Sequence, residues 1–216
     1  PPTPSAESQT SFVGEGATAY ASSAPREILA LGQMHRTYLI AQVGDELQVV
    51  DQHTAHERVL FERLWRAWQG NTVTSQPLLL PEPLELPVEQ AVILQRHLPE
   101  LERLGLLIEP FGPSSFLIRS LPIMLGHPDL AALVQDLMED LEQWDSISSL
   151  ETKVKPILAS LACHSAVRAG RAMALPEITQ LVQDWVAEGL IMTCPHGRRV
   201  AFRLSGDELA RLFDRA

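Results

Sequence analysis

The rhythm of apolar and polar positions changes several times along the chain, and each change marks an element. Residues 1–26 have no sustained apolar period and are mainly Pro, Ser, Ala, Thr and Gly, which predicts the disordered end of a linker. Apolar content rises from Glu27. Thr37–Gln42 reads as a strand, Val43-Gly44-Asp45 as a turn and Glu46–Val50 as the returning strand of a hairpin. The hairpin runs straight into a helix starting near Asp51, with Val59, Leu60, Leu64 and Trp65 at helical spacing until Gly70 stops it.

Thr74–Pro81 reads as an apolar strand leading into a proline-rich linker. Val88–Leu104 is amphipathic at helical period, and Leu106–Pro110 and Ser115–Ser120 read as strands around Phe111-Gly112-Pro113. Asp129–Trp144 carries Leu130, Leu133, Val134, Leu137 and Leu141 at core spacing. Small residues (Ala159, Ser160, Ala162, Ala166) mark a helix over Ile157–Ala169 that Gly170 closes. Pro176 opens the next helix and Gly189 ends it. Leu190–Thr193 and Val200–Leu204 read as strands, and Ser205 with Glu208 forms a capping box for a last helix. His97 and His127 read as surface or loop histidines. The order predicts an α+β fold in two lobes, one from residues 27–73 and 152–216, the other an insertion over 74–151.

Composition narrows the setting. A chain of 216 residues buries one good core or two small ones. It opens on Pro1 in place of methionine, which predicts a piece of a longer protein. A net charge of −10 argues against a domain that grips nucleic acid tightly by itself. Only two residues are lysine, Lys153 and Lys155, and the arginines gather as Arg168 with Arg171 and as Arg198, Arg199 and Arg203. Two cysteines fit a reducing compartment, and no apolar run nears the ~20 residues that span a bilayer, so a soluble intracellular protein is expected.

Candidate chemistry begins at D-Q-H-T-A-H-E, Asp51–Glu57. His53 and Glu57, four apart, share one helical face, and Asp51 at the strand-to-helix seam is placed to cap the helix or to face a cation. C-P-H at Cys194–His196, read as extended, puts a thiol and an imidazole on one side of the chain. A-C-H at Ala162–His164 holds the other cysteine. The cysteines are open to a disulfide or a metal, and the flanking histidines favour a metal: zinc, or a mixed site that also takes manganese. Glu62 lies five residues past Glu57, ~500° around the helix, so it is assigned a supporting role such as holding an arginine.

These motifs carry a resemblance. D-Q-H-T-A-H-E-R-V-L-F-E, A-C-H and C-P-H-G-R-R resemble the D-Q-H-A-x-x-E-x-x-x-x-E, A-C-R and C-P-H-G-R-P signatures of the C-terminal domain of bacterial MutL mismatch repair proteins with endonuclease activity. The upstream G-Q-M-H-R-T-Y-L-I also matches, and the resemblance covers roughly residues 28–216. Thr54, His164 and Arg199 depart from the pattern at an alanine, a basic residue and a proline.

The resemblance implies a metal-dependent endonuclease that nicks duplex DNA, with Asp51, His53 and Glu57 catalytic and His53, Glu57, Cys163, Cys194 and His196 as metal ligands. Gln52, Glu62 and Arg198 would support them. Zn2+ would be structural or regulatory, and Mn2+ or Mg2+ catalytic. It implies a homodimer, and docking of Gln76, Leu79 and Leu80 on the replicative sliding clamp. Through an N-terminal ATPase part of the full-length protein it implies contact with the mismatch-recognition protein MutS and a cytoplasmic, nucleoid-associated location. The competing expectation is a non-catalytic dimerisation and clamp-docking module with a structural zinc site.

Overall fold

The computed structural model describes residues 26–126, 128–144 and 149–215. The linker end expected over 1–26 lies, except for Arg26, outside the described residues, as does His127.

The chain is α+β. The first sheet is antiparallel with strand order β1 (Ile28–Met34), β2 (Tyr38–Val43), β3 (Glu46–Asp51) and β7 (Ala201–Leu204). The expected hairpin is β2 and β3, turning at Gly44 with φ +63. β1 was not expected as a strand; a bulge between Ala30 and Gly32 breaks its alternation. Leu39, Ala41, Val43 and Val50 point into a core shared with α5 (Leu175–Ala187) and with Ala55 and Val59 of α1 (Gln52–Gln69). Ile40, Leu47, Val49, Phe202 and Leu204 line the opposite face of the same sheet.

A second antiparallel sheet has the order β4 (Ser75–Glu85), β6 (Ser115–Pro122), β5 (Leu107–Pro110). β4 continues through Pro81 and Pro83, where a linker was expected. As an edge strand it tolerates residues that donate no hydrogen bond. Between Pro77 and Glu82 its pairing with β6 slips, so four residues, Leu78 to Pro81, lie opposite Arg119 alone. This sheet packs with α2 (Val88–Arg103), α3 (Leu130–Glu142) and α4 (Leu150–Ser165) around a second core that includes Leu60, Phe61 and Leu64. α1 therefore contributes side chains to both cores. The buried face of α4 (Val154, Ile157, Leu158, Leu161) belongs with α2 and α3, so the cores do not part at residue 151.

Two further expectations are corrected. The helix placed at Ile157–Ala169 is α4, which starts seven residues earlier, contains Pro156 and ends at Ser165, with Ala166 at ψ 150. Side chains of α1 hold the following segment extended, so the stop comes before Gly170. Leu190–Thr193 is not a strand: Gly189 and Leu190 both have positive φ, +89 and +55, and swing the chain so that only Thr193 bridges to Arg199. The final helix, α6 (Gly206–Leu212), has the expected capping box at Ser205 and Glu208. No helix among the described residues is long and apolar enough to cross a membrane.

Candidate metal centre

The centre is built where β3 passes directly into α1. Asp51 takes the extended N-cap conformation, and its Oδ1 accepts the backbone N–H groups of His53 (2.9 Å) and Thr54 (3.0 Å). Such a cap is worth about 1 kcal/mol. Asp51 joins neither group of potential ligands, although it lines the cleft that opens over His53 and Cys163.

One turn on, Glu57 is fully buried. Its Oε1 accepts from His196 Nδ1 at 2.5 Å, while Oε2 has no hydrogen-bond partner among the described residues and lies 3.9 Å from His53 Nε2. Two sets of ligand atoms meet at this carboxylate: His53, Glu57 and Cys163 on one side, and Glu57, Cys194 and His196 on the other, each set within 4.8 Å. Cys163 Sγ is 3.9 Å from His53 Nε2. All five residues assigned as ligands from the sequence therefore converge. Both cysteines are free thiols. Burial, and then the Glu57 carboxylate, push the Cys163 thiol above its ordinary pKa; burial does the same at Cys194. Each set supplies one carboxylate, one imidazole and one thiol, a donor set suited to zinc.

The C-P-H segment is not extended as expected. Gly197 N–H donates to Cys194 O at 2.9 Å and closes a turn, and Cys194 N–H donates to Arg198 O at 2.8 Å. Cys194 and His196 still meet, because the turn folds both side chains toward Glu57.

The supporting residues divide the remaining work. Glu62 holds Arg58 at 2.7 Å, and Arg58 Nε donates to Thr193 O at 2.7 Å, tying α1 to the residue before Cys194. Gln52, completely buried, accepts from Gln33 Nε2 and donates to Arg168 O at 2.8 Å. Arg198 shares the cleft mouth with Asp51, His53, Arg168 and Arg199. His164, one of the departures from the motif, donates to Asp136 of α3 at 2.8 Å and is no part of either ligand set.

Sequence reasoning missed His56. Its Nδ1 accepts Val167 N–H at 2.9 Å, while His53 Nδ1 donates to Val167 O at 3.2 Å. Burial, followed by Arg63, lowers the His56 pKa to about 4. The available signal was its position, three residues after His53 and so beside it on the helix. The Asp140–Ser160 hydrogen bond, 2.8 Å, was also missed; it lies in the groove that His196 shares with Trp65 and Lys155.

Gln76, Leu79 and Leu80 lie away from this centre, in and beside the slipped segment of β4. The two leucines are 99% and 78% exposed.

Fold and cluster together define an α+β domain with one buried glutamate shared between two thiol and imidazole pairs. A family model for the MutL C terminal dimerisation domain matches residues 31–173, and the chain belongs to that family. It is 38% identical over 187 residues to the DNA mismatch repair protein MutL of Rhizobium etli, covering 87% of this chain and 31% of that protein. To MutL of Paramagnetospirillum magneticum it is 40% identical over 186 residues, 86% of this chain and 31% of the relative. To MutL of Rhizobium johnstonii it is 36% identical over 213 residues, 99% of this chain and 36% of the relative. The chain thus spans about a third of the length of these relatives.

Proposed function

We propose that this chain is the dimerisation and metal-dependent endonuclease part of a mismatch repair protein, nicking duplex DNA as a homodimer and stimulated by the sliding clamp. The observation that carries the reading is Glu57: a completely buried carboxylate shared by two ligand sets, with one oxygen bonded to His196 and the other without a partner among the described residues. Burying such a charge without a counter-charge is costly, and a cation removes the cost.

His53, Glu57, Cys163, Cys194 and His196 would hold the metal. The thiols favour zinc, and manganese or magnesium fits the carboxylate of Glu57, with Asp51 outside both ligand sets but facing the cleft. A bound divalent ion supplies charge to polarise a phosphoryl oxygen and acidify water. Asp51 keeps the helix start rigid, and Arg198 and Arg199 give a phosphate an electropositive approach to the cleft, whose third arginine, Arg168, is paired with Asp129 at 3.3 Å. With a net charge of −10 the chain relies on the rest of the protein, including its contact with MutS, to deliver DNA.

The partner copy is assigned to the outer face of the first sheet, where exposed Phe202 and half-buried Ile40, Leu47, Val49 and Leu204 form an apolar surface. The clamp is assigned to the slipped segment of β4, whose exposed leucines are available to fill an apolar pocket while Gln76 supplies polar contacts.

The test is nicking of supercoiled plasmid in manganese, with and without sliding clamp, by the parent chain, Asp51→Asn and Glu57→Ala. Nicking lost in both folded, dimeric variants supports the reading. A second reading, a non-catalytic dimerisation and docking module with structural zinc, is favoured by the near-complete burial of Cys194. It predicts no nicking by the chain or by the full-length protein, and unfolding on chelation.

A further inference from the structure

We infer that His56 is a positioning residue for the metal centre: by holding the backbone at Val167 it sets the tautomer and direction of the His53 ring. The inference rests on the metal-centre reading above.

Val167 is gripped by α1 on both of its backbone groups. Its N–H donates to His56 Nδ1 at 2.9 Å, and its C=O accepts from His53 Nδ1 at 3.2 Å. An imidazole nitrogen that accepts carries no proton, so His56 has its hydrogen on Nε2. A ring nitrogen facing a carbonyl oxygen must donate, so His53 has its hydrogen on Nδ1. That leaves His53 Nε2 with a bare lone pair, and this is the atom 3.9 Å from both Glu57 Oε2 and Cys163 Sγ. A metal-binding histidine depends on such a partner on its other nitrogen for orientation and basicity.

The carbonyl of Val167 has no helix to hold it in place. α4 ends at Ser165, Ala166 is extended, and Val167 follows four residues after Cys163. Its position relative to His53 is set by tethers from α1, with His56 on Val167 and Gln52 on Arg168. His56 is the tether on the residue whose oxygen orients the ligand. A merely structural tether at this place would affect melting alone; a positioning residue also alters how the metal is held.

The test is cobalt(II) titration of the chain, read by ligand-field and thiolate-to-cobalt absorption, beside melting of the metal-free protein. His56→Phe keeps the ring shape and removes the acceptor; His56→Asn returns an oxygen close to where Nδ1 sits. The expected result is cobalt affinity about tenfold to a hundredfold weaker, with an altered spectrum, in His56→Phe, and recovery in His56→Asn. Unchanged affinity and spectrum in folded His56→Phe overturns the role of His56 and leaves the metal centre standing. Failure of the parent chain to bind cobalt at all overturns both. If His56→Phe does not fold, nitrogen-15 shifts of the metal-free parent decide the matter. A proton on Nδ1 of His53 and on Nε2 of His56 supports the inference, and the reverse tautomer at either ring overturns it.

Discussion

Replacing Glu57 with glutamine separates the demands of folding from those of metal binding. In the metal-free chain this side chain is fully buried, with Oε1 bonded to His196 and Oε2 without a partner among the described residues. Glutamine keeps the shape and the acceptor toward His196 and removes the charge. His196, 40% exposed, stays in contact with water and is not left as an isolated buried ion. Neutralising a poorly compensated buried carboxylate is neutral or stabilising, here by up to about 2 kcal/mol, a rise of roughly 4–8 °C in melting temperature for a chain of this size. Metal affinity should move the other way. His53 Nε2 and Glu57 Oε2 are 3.9 Å apart, so a cation bound by both lies close to the carboxylate. One pair of unit charges at 4 Å in an effective dielectric near 20 is worth about 4 kcal/mol, close to three orders of magnitude in affinity. Calorimetric melting in chelator and zinc competition against a chromophoric chelator measure the two effects. Zinc affinity within about threefold of the parent, or a metal-free variant melting more than about 5 °C lower, would refute the reasoning, because Glu57 would then serve packing and hydrogen bonding instead of a cation.

Three other outcomes are expected. Changing Gln76, Leu79 and Leu80 together to alanine should weaken sliding-clamp binding by at least about 2 kcal/mol while altering stability by less than about 0.5 kcal/mol, since both leucines are exposed; unchanged surface plasmon resonance affinity removes the assignment. Phe202→Asp, at the exposed position of the outer sheet face, should shift the chain to monomer at concentrations where the parent sediments as a dimer, and an unshifted boundary places the interface elsewhere. Asp140 has a pKa raised above the ordinary 3.8, chiefly by burial, so the native chain takes up a proton more readily than the unfolded chain. Its destabilising contribution is full above the raised value and fades as pH falls through it toward 3.8, so Asp140→Asn should raise the melting temperature at pH 7 and lose that advantage in acid. A gain that is the same at every pH would show that charge burial is not the cause.

The legible parts of the fold were those written locally. The cap at Asp51, the span of α1 and the capping box at Ser205 each follow from a few adjacent residues, and each stands where the pattern put it. Misreadings arose where distant contacts overrode a local signal. The small residues and Gly170 suggested the bounds of α4, yet its ends are set by packing of Val154 on the second core and by the tethers on Val167. The prolines of β4 suggested a linker because an edge strand, which tolerates them, is recognisable only once the sheet is assembled. For the same reason the ligand residues were readable by type, but their meeting at one glutamate was not. Cys163 and Cys194 reach it from opposite sides through different elements.

The order of residues within α1 nonetheless encodes how the centre is put together. Residues four apart lie on one face, and each single step along the helix turns ~100°. Gln52 and His56 form one such pair, and both hold the segment after α4, through Arg168 and Val167. His53 and Glu57, one step further round, form the next pair and face Cys163 and His196. Arg58 and Glu62 form a third, and their ion pair holds Thr193, immediately before Cys194. The two outer pairs anchor the two segments that bring the cysteines in, and the pair between them supplies the ligands. A change of pitch or a one-residue insertion in these turns would therefore misplace both cysteine segments at once, even with every ligand residue still present.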